Sequence, residues 1–394
     1  PRVAKADLMS NDKFAELLEA CGVTPPTKIS KTTGKEAYAF SKQDDDFMAL
    51  LEHPSLNVQT LMAARLGVKS TLDETRTQRF IDISERGLLP IPLRYYAAHT
   101  GRWGGEDKVN LQNLPRNSPL KKAMLPPKGF VLCDSDSSQI ECRILAWLAC
   151  EDQLVYAFEK GEDVYTIMAS KIYGKEEKDI TKAERFLGKT VVLGCGYGLG
   201  HKKFQAHMKT QGVDMSQAHA AQTIDVYRGT FSEIPLLWMR GNEVLRAIST
   251  NQTTNFGRDG VLQVEGEKGI KLPNGLYLRY PNLRTEMGST GKKQFVYDSK
   301  KGKTTVMKNI WGGALVENVC QALARIVIGE QMLKINRKYE VALTVHDSVL
   351  CLIPTQEKDT GKEFVELCMR LRPEWALDLP LNCEAGYGAS YGDC

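Results

Sequence analysis

FVLCDSDSSQIECRILAWL, running from Phe130 to Leu148, is the stretch on which the reading of the whole chain turns. Phe130, Val131, Leu132 and Cys133 make a short apolar run rich in strand formers, which suits a buried strand. Asp134 and Asp136 follow where that strand should run out, and Ile144, Leu145 and Leu148 then recur at helical spacing. A strand that delivers a carboxylate to its end and then becomes a helix can hold a metal ion on a rigid frame. An ordinary strand-to-helix turn with a solvated aspartate cap fits the same pattern, and these residues alone leave both readings open.

The rest of the chain sets bounds on that choice. Its 394 residues suffice for a large core divided among two or three domains. With 42% hydrophobic and 25% charged residues, the composition is that of a globular protein. No run reaches the roughly 18 uncharged apolar residues of a membrane span, so no membrane role is expected. A net charge of +4 is too small to prove a nucleic-acid partner, and only local clustering can argue for one. The ten cysteines include no C-x-x-C pair. Cys133, Cys320 and Cys351 sit in apolar runs and read as small buried hydrophobes in a reducing compartment. The chain opens on Pro1 without a visible signal peptide and reads as a piece of a longer protein.

Residues 1 to about 90 are polar and helical in pattern, broken at Thr24-Pro25-Pro26 and by the run from Lys28 to Lys35. Residues 94 to 116 are rich in glycine and polar groups and read as loop, with Arg102 and Arg116 as charges of undecided role. From Ser170 to Lys209 eight lysines and one arginine face four acids. Within that segment Arg185, Lys189, Leu193 and Tyr197 recur every four residues, a slowly winding stripe along one helix. Two cations one turn apart can grip a triphosphate, with an aromatic or apolar group further along for a base. The glycine run from Gly194 to Gly200 closes a helix instead of opening one, which argues against a dinucleotide loop. More helix is expected after residue 211, around Ile234 to Trp238. A hairpin should then turn at Asn274-Gly275, and Lys292, Lys293, Lys300, Lys301 and Lys303 read as a solvated basic loop. Residues 311 to 330 form an amphipathic helix in which Gln321 has an undistinguished place. Two apolar strands, Val341 to Val345 and Val349 to Ile353, flank His346-Asp347-Ser348 and put Asp347 at a hairpin tip.

Taken in order, these segments resemble the family A DNA polymerases. Asp136-Ser-Ser-Gln-Ile-Glu141-Cys-Arg143 is similar to that family's motif A, D-Y-S-Q-I-E-L-R, with Ser137 for Tyr and Cys142 for Leu. Arg185, Lys189, Tyr197 and Gly198 match motif B, in which Leu193 stands where Phe or Tyr is usual. Val345-His346-Asp347-Ser348 matches motif C, V-H-D-E, with Ser348 for Glu. Thr100-Gly101-Arg102 and Asn110-Leu-Gln-Asn-Leu-Pro115 resemble the segments preceding motif A, and the tail from Pro380 resembles the family's C-terminus.

The resemblance implies an α+β right hand with an antiparallel palm sheet, helical fingers and a partial helical thumb. Residues 1–90 would be partial thumb and entry to the palm. Residues 91–150 would be the first part of the palm, 151–305 the fingers and 306–394 the second part of the palm. It further implies template-directed addition of dNTPs to a primer by a two-metal mechanism, with two Mg²⁺ ions for which Mn²⁺ can substitute. Asp136, Asp347 and the Ser137 backbone carbonyl would hold the metals. Arg185 and Lys189 would bind phosphates, with Lys189 also protonating the leaving pyrophosphate. Gln139, Leu193 and Tyr197 would line the nucleotide, and Glu141 would exclude a 2′ hydroxyl. Arg102, Gln112, Asn113, Gly198, Gln321 and His346 would meet primer–template DNA. The phrasing from Trp311 onward resembles phage members, and the expected setting is DNA replication or repair by a monomer, with accessory proteins possible, in the cytoplasm of a bacterial host. Two competitors are weighed: a single-subunit RNA polymerase, whose motif A lacks S-Q-I-E, and an idle DNA-binding remnant.

Overall fold

The computed structural model describes residues 3–30, 35–41, 44–68, 72–106, 109–115, 117–288, 291–301 and 304–394. Arg116 and Lys303, singled out in the sequence, lie outside the described residues. The chain divides into two compact units, Pro1–Leu89 and Pro90–Cys394.

The first unit holds helices α1 (Lys5–Met9), α2 (Asn11–Ala20), α3 (Asp45–Ala49), α4 (Leu56–Val68) and α5 (Leu72–Ser84). A ribbon of β1 (Thr27–Ile29) and β2 (Glu36–Tyr38) interrupts them where the sequence suggested only a break. Phe14, Leu18, Phe40, Phe47, Val58 and Met62 are its core. The Arg65 guanidinium is buried in this core, lying 4.7 Å over the Phe14 ring and bonded to the Leu8 carbonyl and the Asn11 side chain. Satisfying its two terminal nitrogens in this way makes the buried cation tolerable, while its Nε has no hydrogen-bond partner among the described residues.

The second unit is organised by one antiparallel sheet. Short strands β3 (Leu93–Arg94) and β4 (Gly104–Gly105) and helix α6 (Pro119–Lys122) lead into β5 (Phe130–Ser137). A run of helices follows: α7 (Ile140–Ala149), α8 (Asp152–Lys160), α9 (Val164–Tyr173), α10 (Lys182–Cys195), α11 (His201–Thr210), α12 (Gln217–Thr230) and α13 (Glu233–Ser249). Then come β6 (Thr253–Phe256), β7 (Leu262–Glu265), β8 (Ile270–Lys271), β9 (Tyr277–Leu278), β10 (Arg284–Met287), β11 (Lys293–Lys301) and β12 (Thr304–Ile310). Helix α14 (Gly312–Ile335), hairpin strands β13 (Val341–Val345) and β14 (Ser348–Pro354), helix α15 (Lys358–Met369) and β15 (Cys383–Gly388) complete the unit. The central sheet has the order β13-β14-β5-β15, so residues more than 200 apart in sequence become neighbours. Helices α7 and α14 pack together beside it, burying Ile144, Leu148, Leu315, Val319 and Leu323.

The stretch from residue 253 to 310 holds more strand than the one hairpin and basic loop expected of it. It forms a four-stranded sheet, β6 to β9, and a three-stranded sheet, β10 to β12. The foreseen turn at Asn274-Gly275 joins β8 to β9, with Gly275 at φ +80°, where glycine carries no steric cost. Of the lysines expected in a loop, Lys293, Lys300 and Lys301 lie in strand β11, which the consecutive β-formers Phe295, Val296 and Tyr297 favour, and Lys292 lies just before it.

Candidate active site

Strand β5 alternates as a pleated strand must: Cys133, Ser135 and Ser137 are buried, and Asp134 and Asp136 point to the other face. Asp136 ends up exposed at the strand's end. In the register, Ser348 stands opposite Asp136 on β14 and Glu384 opposite it on β15. The β13–β14 turn is tight, with His346 at φ +55°, so Asp347 is held at its tip. The Ser137 amide donates to the Asp347 carbonyl at 3.0 Å, which places the two predicted aspartates on neighbouring strand ends. The Ser137 side chain faces inward, so only its backbone faces the Asp347 turn.

The strand-to-helix turn between them is clasped by Arg143, a buried residue to which the sequence assigned no role. Its guanidinium donates to the carbonyls of Ser138 (2.8 Å), Pro380 (3.1 Å) and Phe158 (3.4 Å) and to the Gln139 Oε1 (3.3 Å). Gln139 itself adopts a left-handed backbone, φ +47°. A fork of five donors suits this convergence of carbonyls, which an ammonium would serve less well.

Glu141, in the first turn of α7, pairs with Arg102 from the loop after β3. Burial raises the Glu141 carboxyl, the Arg102 charge opposes this, and the nearby Asp347 and Glu317 carboxylates push it further up. Thr100, two residues before Arg102, donates to the Gln321 Oε1 at 3.5 Å, so the T-G-R loop, α14 and α7 meet here. His346 is exposed. Partial burial of its ring and the Arg102 charge lower its pKa, with Asp347 opposing.

Gln112 is buried and donates its amide to the Thr344 carbonyl at 3.2 Å, tying the segment before α6 to β13, whereas Asn113 beside it is exposed.

Helix α10 begins at a reciprocal cap, in which Thr181 and Glu184 satisfy each other's backbone amides. Arg185, Lys189 and Leu193 share its exposed side. The expected stripe stops there: α10 ends at Cys195, and Tyr197 lies in the turn beyond, before Gly198 at φ +80°. Tyr197 reaches back to hydrogen-bond with the Cys320 thiol, and burial raises its phenol well above the ordinary range. A Cβ at Gly198 would sit 2.2 Å from the Trp311 ring, so this glycine is required by the indole packed against it.

Two residues missed by sequence reasoning complete this side. Asp163, the N-cap of α9, receives Arg185 through Nε (2.5 Å) and the second guanidinium nitrogen (3.2 Å). Burial alone would raise the Asp163 carboxyl, but the hydrogen bonds from Arg185 and Thr166 outweigh it and hold it low. The Tyr165 ring lies 5.3 Å from the Arg185 guanidinium and 6.0 Å from the Lys189 ammonium. The Asp-x-x at a helix start was a visible cap signal, but nothing local tied it to a residue 22 positions later.

A cavity of about 200 Å³ is lined by Gln139, Glu141, Leu193, Tyr197 and Asp347, among others. A wider cleft of about 710 Å³ continues from Leu193 and Tyr197 past Gly198 to Lys202, Lys203 and Trp311. Another cleft of about 720 Å³, between α13 and β6, touches none of the predicted residues.

Among the described residues no group of three or more His, Cys, Asp or Glu side chains converges as a self-sufficient metal cage. Two carboxylates on adjacent strand ends still fit a magnesium-type ion, which takes hard oxygen donors and completes its shell with water and phosphate. A third carboxyl, Asp134, lies two residues back on the same face. Burial raises it, the Ser348 hydroxyl bonded to it partly compensates, and its Oδ1 has no hydrogen-bond partner among the described residues.

The sequence model of DNA polymerase family A matches residues 3–393. A DNA polymerase of Bacillus phage SP02 is 27% identical over 346 residues, covering 78% of this chain and 52% of that protein. A DNA polymerase I of Synechocystis is 38% identical over 305 residues, covering 74% of this chain and 28% of that protein. Among solved structures, the POL domain of Pol1 from M. smegmatis, in complex with DNA primer-template and dNTP, superposes with a TM-score of 0.66 at 20% identity. That match covers 98% of this chain and 61% of the other. The chain therefore spans about half the length of the phage relative and under a third of the cyanobacterial one.

Proposed function

This chain belongs to DNA polymerase family A, and from that premise we propose that it extends a DNA primer on a DNA template by transferring deoxynucleotides to the 3′ end. The observation that carries the reading is the bond between Ser137 and Asp347, which brings the carboxylates of Asp136 and Asp347 to one edge of the sheet. Bound there, two Mg²⁺ ions would activate the primer hydroxyl and stabilise the anionic transition state.

The chain's own groups do the positioning. Asp136 and Asp347, with the Ser137 carbonyl, hold the metal side. Arg185 and Lys189 offer a fork and a point charge to the β- and γ-phosphates, and Lys189 supplies a proton to the departing pyrophosphate. The buried Tyr165 ring sits beside both cations and steadies them. Glu141, backed by Arg102, sits under the sugar, where a 2′ hydroxyl would meet a crowded and partly desolvated carboxylate. Leu193 and Tyr197 flank the base. Arg102, Asn113, Gln321 and His346 face the primer–template, with Gly198 beside the template.

Residues 1–90 serve as a partial thumb, 91–150 and 306–394 as the palm and 151–305 as the fingers, here carrying two β-sheets. Among the described residues no helix is long and apolar enough to cross a membrane. The proposed setting is action as a monomer, with accessory replication proteins, in the cytoplasm of a bacterial cell; the phage source of one relative bears on the bacterial setting alone.

The test is extension of a labelled primer on a DNA template with Mg²⁺, comparing dNTPs with NTPs and the intact chain with Asp136→Ala. Template-directed dNTP addition that disappears in the variant supports the reading. Tight primer–template binding without extension by the intact chain would overturn it in favour of an idle DNA-binding protein.

A further inference from the structure

The sheet β10–β11–β12 concentrates the chain's positive charge. Residues 279–310 carry eight lysines and arginines against two acids, a net +6 in a chain whose total is +4. The register sorts these charges by face. Arg284, Glu286, Gln294, Asp298, Met307 and Asn309 share one face. There both acids are satisfied internally, through Arg284 to Glu286 (2.8 Å) and to Asp298 (3.4 Å). The other face carries Lys293 and Lys308 with Thr285, Phe295 and Tyr297, and neither acid. Lys293 and Lys308 are exposed and, among the described residues, neither is held in an ion pair.

This lysine face is fastened beside the site. His99, three residues before Arg102, donates from Nε2 to the Arg279 carbonyl at 2.6 Å. Its ring packs on Tyr280 at 5.1 Å and Tyr297 at 6.2 Å. The Tyr280 hydroxyl receives Asn318 of α14 at 3.1 Å, one helical turn from Gln321. The sheet is therefore braced against both elements that carry primer-side residues. Burial lowers the His99 pKa, the bond to the Arg279 carbonyl opposes this, and the nearby Lys308 charge adds to the lowering.

We propose that the face of this sheet bearing Lys293 and Lys308 binds the phosphate backbone of the primer–template duplex, extending the track that begins at Arg102. The proposal rests on the polymerase reading. A duplex fits better than a single strand, because single-strand surfaces offer exposed aromatic platforms for bases. Here Tyr280 and Tyr297 are buried in the brace, and the lysines and threonines offer only phosphate contacts.

The experiment compares the intact chain with the Lys293→Gln/Lys308→Gln double variant, binding a fluorescent primer–template and a single-stranded oligonucleotide across a salt series. Loss of two phosphate contacts should weaken duplex binding about tenfold near 0.1 M salt and flatten the log–log salt slope by about 2. Single-strand affinity should stay unchanged. A Lys293→Arg/Lys308→Arg variant should retain duplex affinity, and Lys171→Gln/Lys178→Gln, which removes the same charge elsewhere, should leave the slope intact. An unchanged slope in the first variant, an equal loss on both nucleic acids, or an equal loss in the control overturns the proposal. Extension by the intact chain is measured alongside: its absence defeats the polymerase reading, whereas normal extension with unchanged duplex affinity in the variant defeats this inference alone.

Discussion

The amide of Ser137 donates to the carbonyl of Asp347 at 3.0 Å, and this one bond sets the spacing of the site's two aspartates. It joins the last residue of β5 to the tip of the β13–β14 hairpin, where the regular ladder has ended. Neither aspartate then depends on a flexible loop for its position. Asp136 rides on β5 and Asp347 on the two-residue turn joining β13 to β14, with the Arg143 clasp holding the turn that follows β5.

Asp136→Ala and Asp347→Asn should each lower nucleotide addition by about 10³-fold or more, since each removes a carboxylate from a site that has few. Primer–template affinity should change by less than about threefold. Single-turnover extension together with equilibrium binding reads both quantities.

Arg185 is engaged by Asp163, so an incoming triphosphate must compete with a carboxylate for the guanidinium fork. Both partners are about half exposed, which limits the pair to about 1 kcal/mol. Asp163→Asn keeps a capping side chain for α9 while removing the charge, and should lower the KM for dNTP by up to about fivefold. Arg185→Ala should raise it about tenfold or more. Steady-state titration of dNTP on a fixed primer–template measures the two opposite shifts.

Glu141→Ala should narrow the preference for dNTPs over NTPs, because truncating the side chain opens the crowded space a 2′ hydroxyl would enter and removes the pair with Arg102. The ratio of kcat/KM for the two nucleotides is the readout. A preference identical to that of the intact chain would show that Glu141 has no part in sugar selection.

Gly198→Ala should destabilise the protein by about 1–3 kcal/mol, from an L-residue at φ +80° and a Cβ driven into Trp311. In a Trp311→Ala background the steric part disappears and the cost should fall toward the backbone part alone. Urea unfolding of the four combinations gives the coupling directly.

Glu184 has its carboxyl pulled down to about 2, chiefly by the Lys175 ammonium and then by the Thr181 amide and hydroxyl. A carboxyl lowered in the folded state stabilises it fully above its ordinary value near 4.5. That contribution is lost as the pH falls through about 2. The start of α10 should therefore loosen over this acid window, and Glu184→Gln should abolish the pH dependence there. Amide exchange of the first turn of α10 between pH 5 and 2 is the measurement.

Much of this molecule was determined by the order of its residues alone, wherever the signal is local. Apolar runs of four or five residues marked β5, β13 and β14. A fourfold spacing marked the cationic side of α10, and Asn274-Gly275 marked a turn, because pleat, helix period and turn geometry are properties of a few consecutive residues. Tertiary structure decided what depends on partners far along the chain. Gln112 reads as a polar loop residue until Thr344, 232 positions away, takes its amide. Asp163 reads as a helix cap until Arg185 folds onto it, and Gly198 as a helix stop until Trp311 arrives. Of the two sheets between α13 and α14 only the hairpin turn at Asn274-Gly275 was legible, because most of their strands are short and half exposed and each is stabilised only by its neighbours. The same holds for the lysines of β11 and β12: composition counted their charge, but only strand register and the His99 brace put Lys293 and Lys308 on one face beside Arg102.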